Sequence, residues 1–308
     1  MEKVIEMMLD SGRIGVDLSL YTIMPIMVIM MAIMNVLDKK NVLSWVARGF
    51  APLLILFGLP GLGVFAIIQI LFISFAAPVA TLRIIERDEN ISDASLAATL
   101  AAILVMAQAN AVFPLAAVGL NVPIGILTSL VGGLIASLIA FKILGGHSNA
   151  VSVVESERPH DKRKLVPLLF EGGEAGFNIV LKSIAPLIIA VFMVSLFKKI
   201  GIIEGLETIL SPVLMKIGIP GIAVLPIVTK FMAGGTAMMA IVLDLMAEGA
   251  MTAAELNRIA GFTLNPLDPV GVAVLVATGP RVAKIAKPAM IAAFIGIVVR
   301  GVLHLIIF

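Results

Sequence analysis

The chain has 308 residues and no cysteine, 60% of its residues are hydrophobic and 14% charged, and its mean hydropathy is +1.12. These values lie far outside those of soluble domains and specify an integral membrane protein, with room for about six spans of roughly 20 residues each. A net charge of +2 gives no nucleic-acid footprint, and the missing cysteines exclude disulfides, thiolate metal sites and thiol chemistry.

Residues 1–19 carry Glu2, Glu6, Asp10 and Asp17, lack the basic start of a secretory signal, and read as a short amphipathic segment. Residues 20–37 form an apolar leading span that ends at Asp38-Lys39-Lys40. Residues 41–57, with Trp45 and Arg48, turn amphipathic and predict an interfacial helix. The glycines between Gly58 and Gly63 mark a turn, because no strand precedes them as a nucleotide loop would require. Residues 62–85 are apolar but interrupted by Ser74, Ala76, Ala77 and Pro78. The pattern predicts a re-entrant helical hairpin, with a kinked continuous span as the other reading; such backbone is tolerated at membrane depth only inside protein or along a cavity. Residues 94–118 and 122–143 then make a span and its return. Residues 145–166 are the one long polar linker. The second half follows with spans at 179–197, 254–278 and 284–307, an interfacial helix at 200–217 and a hairpin at 222–247.

The halves are copies of one another at a spacing of 160 residues. Gly58, Pro60 and Gly61 recur as Gly218, Pro220 and Gly221, Pro52 as Pro212, and Gly119 as Gly279; Ser92, Ala94 and Leu96 return as Thr252, Ala254 and Leu256. Three crossings per half force the second copy upside down. Lys39, Lys40, Arg48, Lys142, the 160–164 run, Arg281, Lys284 and Lys287 then fall inside, while Lys198, Lys199 and Lys216 fall outside against the positive-inside trend. The fold class is an all-α polytopic membrane protein of two inverted repeats, each with a leading span, interfacial helix, re-entrant hairpin, broken span and return span. The divisions are 1–19, a first repeat at 20–144, a linker and lead-in at 145–178, and a second repeat at 179–308.

Polar groups inside spans mark the candidate site, since each is costly without a partner, cavity or substrate. Asp268 lies mid-span within Asn265-Pro-Leu-Asp-Pro269, where two prolines remove backbone donors and free carbonyls. Its repeat counterpart is Gln108, followed by Asn110, so both halves place polar groups at one depth of one helix. Lys230, after Thr229, lies in the first arm of the second hairpin, where an amine can pair with Asp268 or meet an anionic solute; Gln69 is the counterpart of Thr229. Gly234, Gly235 and Thr236 at the hairpin tip can present backbone donors. Asp268 is also the group to which a coupling cation would bind. Glu171 and Glu174 read as a solvated pair, and His147, His160 and His304 lack metal-ligand spacing. No nucleophile and base pair, phosphate loop or zinc motif is present, which points away from an enzyme and from a cofactor.

The segments Pro226-Ile-Val-Thr-Lys-Phe-Met-Ala-Gly-Gly-Thr236, Asn265-Pro-Leu-Asp-Pro-Val-Gly271 and Ala277-Thr-Gly-Pro-Arg281, with the twice-given element order, resemble the nucleoside-recognition, or Gate, domain family. That family is related to the core of concentrative nucleoside transporters and includes spore-maturation membrane proteins. The resemblance, over residues 20–307, implies a site built from hairpin tips and broken helices, drawn here from Gln69, Gln108, Asn110, Thr229, Lys230, Thr236, Asn265 and Asp268. It also implies cation coupling, by sodium or proton. Unlike the nucleoside transporters, whose acidic residues contact ribose, the tips at 74–78 and 233–237 carry no carboxylate. The expected function is secondary transport of a small polar solute, nucleosides and related metabolites among the candidates, across the cell inner membrane. The alternative is a non-transporting scaffold or partner subunit, with homo-oligomers open in either case; a metal-ion permease would need oxygen ligands.

Overall fold

The computed structural model describes residues 2–43, 45, 49, 56–146 and 163–308, and no strand occurs among them. Helix α1 (Glu2–Asp17) runs through a π-helical segment, Leu18–Ile23, into α2 (Met24–Lys39). The first hairpin follows as α3 (Gly61–Phe72) and α4 (Pro78–Arg87), which pack on one another. A broken helix, α5 (Asp93–Val105) and α6 (Ala109–Ala116), leads to the return helix α7 (Val122–Ile143). The second half comprises α8 (Leu165–Lys199), α9 (Ile202–Lys216), a hairpin of α10 (Val224–Ala233) and α11 (Gly235–Ala247), a broken helix of α12 (Ala253–Thr263) and α13 (Pro269–Val276), and the return helix α14 (Pro280–Ile307).

Among the described residues, five helices are long and apolar enough to cross a membrane: Val4–Lys39, Asp93–Ala116, Val122–Ile143, Leu165–Phe197 and Pro280–Ile307. Bilayer-length apolar helices in this number make the chain a multi-pass membrane protein. The hairpin helices Gly61–Phe72 and Gly235–Ala247 are too short to cross alone. Thr208–Lys216 and Gly221–Ala233 are bent by 118° against each other, so the second hairpin turns sharply away from α9.

Two boundaries drawn from sequence fall inside continuous helices. There is no break at residue 19, and α8 begins at Leu165 rather than at 179. The charges that suggested polar lead-ins are borne by helix ends: Glu171 of α8 pairs with Arg163 at 2.8 Å and with Lys39 of α2 at 3.9 Å. Most of the 41–57 interfacial segment, including Arg48, and the linker with His147 and His160 lie outside the described residues.

Small residues let the long helices approach closely, as lipid gives apolar helices no hydrophobic reason to associate. A Cβ on Gly172 would lie 2.5 Å from the Met31 carbonyl oxygen and one on Gly176 2.6 Å from that of Met27, so α8 and α2 meet backbone to backbone. Gly132 of α7 and Gly296 of α14 stand in the same relation, each needing the other to lack a side chain. The core sits on α5, where every residue from Ala94 to Val105 is buried. Side chains of the second half also tie it to the loops of the first. Asn257 of α12 accepts from the Asn121 amide at 2.7 Å and donates to the Gly119 carbonyl at 2.8 Å. Arg281 of α14 donates to the carbonyls of Glu86 (2.6 Å) and Ile91 (2.7 Å) and to the Asp93 carboxylate (3.0 Å).

Candidate functional site

The central helices of both halves begin with equivalent caps and break at equivalent points. Ser92 accepts from the Ser95 amide, and Thr252 forms a reciprocal capping box with Glu255. The chain leaves the helix at Met106 in the first half and at Leu264 in the second, and re-enters it with Gln108 and Asp268 at the N-cap positions of α6 and α13. Pro269 at the first turn of α13 explains the second restart, since proline suits that position and bars continuation from α12. The break in the first half contains no proline; there the Ala107 amide donates to Ser129 Oγ of α7 at 3.1 Å instead.

At the second break, Asp268 is almost fully buried and each carboxylate oxygen has a donor. Oδ1 accepts from the Gly271 amide at 2.7 Å, and Oδ2 accepts from Lys230 Nζ at 2.5 Å. Lys230, on α10, has no exposed surface. The turn of the second hairpin sits directly against this pair. Gly234 has φ of 91°, a left-handed backbone that favours glycine, and a Cβ there would lie 3.5 Å from Asp268 Oδ1. A Cβ on Gly235 would lie 3.5 Å from Gln108 Nε2. One hairpin tip thus touches the restart residues of both broken helices.

The first hairpin reaches the same region through Asn110, whose Oδ1 accepts the Phe75 amide at 3.2 Å. Beside it lies a small cavity lined by Asn110, by Thr236 and Met239 of α11, by Ser19, Ile23 and Met27 of the leading helix, and by Ile179 and Val180 of α8. Both halves therefore contribute to one wall. Gln108, Asn110, Lys230, Gly234, Gly235, Thr236 and Asp268 are brought together around the breaks. Three other sequence candidates have different surroundings. Gln69 accepts from Thr81 at 2.7 Å inside the first hairpin, Asn265 bonds to the Phe262 carbonyl and the Leu267 amide within its own break, and Thr229 is buried beside Lys230 on α10.

Sequence reasoning passed over Arg300. It is completely buried in α14, and its Nη1 donates to the carbonyls of Val105 (3.1 Å) and Leu264 (2.5 Å). Those carbonyls lie at the C-terminal ends of α5 and α12, the ends that carry partial negative charge. One guanidinium therefore caps the half-helices before both breaks. Its Nε and Nη2 have no hydrogen-bond partner among the described residues. The signal was available, as an arginine within an otherwise apolar stretch of the last helix. His304, one turn on, bonds through Nδ1 to the Asn257 carbonyl at 2.6 Å and through Nε2 with Thr128 Oγ1 at 2.8 Å, which accounts for a buried histidine by packing bonds.

The fold has counterparts among solved structures. A substrate-bound, inward-facing structure of the concentrative nucleoside transporter CNTnw superposes with a TM-score of 0.70 at 18% identity, covering 92% of this chain and 73% of that one. The chain has the fold of these transporters. An outward-facing variant of CNTnw gives a TM-score of 0.71 at 17% identity over 92% of this chain and 74% of that one, and a structure of the intermediate 3 state gives 0.63 at 18% over 94% and 76%. No protein-family model matches the chain, and no curated protein matches its sequence. At this identity the likeness to the nucleoside-transporter fold speaks to architecture alone.

Proposed function

We propose that the protein is a secondary transporter of a small polar solute, nucleosides and related metabolites being the first class to test, residing in the cell inner membrane. The observation that carries this reading is the convergence of two helix breaks and a hairpin tip on Gln108, Lys230 and Asp268, next to a cavity that Asn110 and Thr236 line from opposite halves. Buried polar groups at interrupted helices inside a membrane protein are expensive, and binding at such breaks is a recurrent use of them. Gln108, Asn110 and Thr236 offer amide and hydroxyl groups suited to the hydrogen-bonding edges of a neutral polar solute. Gln69, Thr229 and Asn265 support the hairpin and break that carry those groups. Coupling to a cation belongs to the same reading, a proton at the Lys230–Asp268 pair being the form that this geometry leaves open. Structures of the related fold in inward-facing, outward-facing and intermediate states support alternating access here. In this chain the hairpins would move against the leading helices, with the two repeats inverted. The motif resemblance to Gate-domain and spore-maturation proteins belongs to the same reading. Copies of the chain or a membrane partner subunit provide the assembly in which it works.

Thermal stabilisation of the purified protein across nucleosides, nucleobases and amino acids tests this reading, because a ligand that binds only the native state raises stability by mass action. A saturable shift is expected from at least one class, and Thr236→Leu, which fills the cavity side of the hairpin, is expected to weaken it about tenfold or more, a change of about 1.4 kcal/mol in binding. No shift from any compound on a folded sample would move the assignment to a scaffold or partner subunit.

A further inference from the structure

We propose that Lys230 is the resident cation of Asp268. Its tethered ammonium takes the place an inorganic cation would occupy, so sodium has no seat at this carboxylate unless Lys230 is removed. The inference rests on the site assigned above but is independent of which solute binds there.

A carboxylate in the middle of a membrane protein requires a countercharge and a full set of donors. Both of Asp268's oxygens are already served, Oδ2 by Lys230 Nζ at 2.5 Å and Oδ1 by the Gly271 amide at 2.7 Å. Lys230 reaches this position from a hairpin arm, with its side chain entirely buried, so the ammonium is held by the fold and does not depend on supply from solvent. A second positive ion at the same oxygen would meet the ammonium head-on. Nor do the described residues contain any group of three or more histidine or acidic side chains able to hold a metal ion elsewhere. The geometry also explains why a lysine stands where the first repeat has Ile70: only the second repeat carries an aspartate at the break, and the first has the neutral Gln108.

The test is the unfolding midpoint of the detergent-purified protein, without solute, titrated with sodium chloride against choline chloride at constant total salt and pH. The wild-type midpoint is expected to be flat across the series. In Lys230→Ala, which removes the ammonium and opens space beside an unpaired carboxylate, the midpoint is expected to start lower and rise saturably by several degrees with sodium. The rise should vanish in Lys230→Ala/Asp268→Asn, and in Lys230→Met, which fills the space. A saturable sodium response in the wild type that is lost in Asp268→Asn would overturn the proposal, as would a folded Lys230→Ala that ignores sodium. The wild-type arm decides even if Lys230→Ala fails to fold. A solute found to bind should give the same shift in either salt. If no solute binds, the transport reading fails, while the sodium titrations still judge Lys230.

Discussion

Asp268→Asn is expected to destabilise the protein by about 3–5 kcal/mol, and adding Lys230→Met is expected to restore most of that loss without restoring solute binding. The first effect follows from burial. With the carboxylate gone, the Lys230 ammonium stays inside the protein with no countercharge, and breaking one side of a buried pair costs far more than the pair contributes. The second follows from the same principle, since replacing both charges by neutral groups of similar shape is close to neutral. The introduced asparagine would still be able to cap α13 by accepting from the Gly271 amide, so the helix restart survives both changes. Urea or thermal melts of the two single variants and the double variant give the coupling energy directly. Binding is expected to be lost in all three, because none of them keeps the ion pair that ties the hairpin arm to the break, even where stability has returned. If the double variant is as stable as wild type and also binds as well, the pair is packing alone.

The second large effect belongs to Arg300. Arg300→Met would take the guanidinium away from the Val105 and Leu264 carbonyls, each a buried acceptor at a helix end. Unsatisfied buried acceptors cost about 1–3 kcal/mol apiece, and removal of a guanidinium whose Nε and Nη2 are unpartnered among the described residues returns part of this. The net loss is expected to be about 2 kcal/mol. The effect on the site should be larger than stability suggests, since the arginine fixes where both helices stop and hence where Gln108 and Asp268 restart. The chain has no cysteine, so single cysteines at Ala116 of α6 and Ala273 of α13, both exposed, can carry spin labels without background. The distance distribution between them is expected to be narrow in the wild type and to broaden in Arg300→Met, with partial recovery in Arg300→Lys. An unchanged distribution would show that Arg300 does not position the breaks.

The elements most legible in the sequence were those where the repeat register and a chemical oddity coincided. Asp268 and Gln108 stood out because each is polar in an apolar span and the 160-residue spacing superposes them; in the fold they occupy the same restart position of their helices. The glycines at 234 and 235 announced the hairpin turn, and Gly234 supplies the positive φ on which that turn depends. The all-helical membrane architecture was legible from hydropathy alone. What stayed hidden depended on three-dimensional partners. Acidic residues in α1 suggested an isolated segment, although a helix continues through them into α2. The π segment that brings Ser19 and Ile23 to the cavity has no sequence signature beyond ordinary apolar residues. Gln69 and Asn265 were singled out for polarity, yet their hydrogen bonds are local, to Thr81 and to the Phe262–Leu267 backbone. Arg300 escaped because it lies within a continuous helix, and its importance lies in two carbonyls far away in the chain.

The most direct test of the account is uptake into proteoliposomes of whichever solute stabilises the purified protein, comparing wild type with Lys230→Met/Asp268→Asn at matched stability. Saturable, time-dependent accumulation by the wild type, absent from the double variant, is the expected result. Binding without uptake, or equal uptake by both proteins, would contradict a transport site at the paired helix breaks.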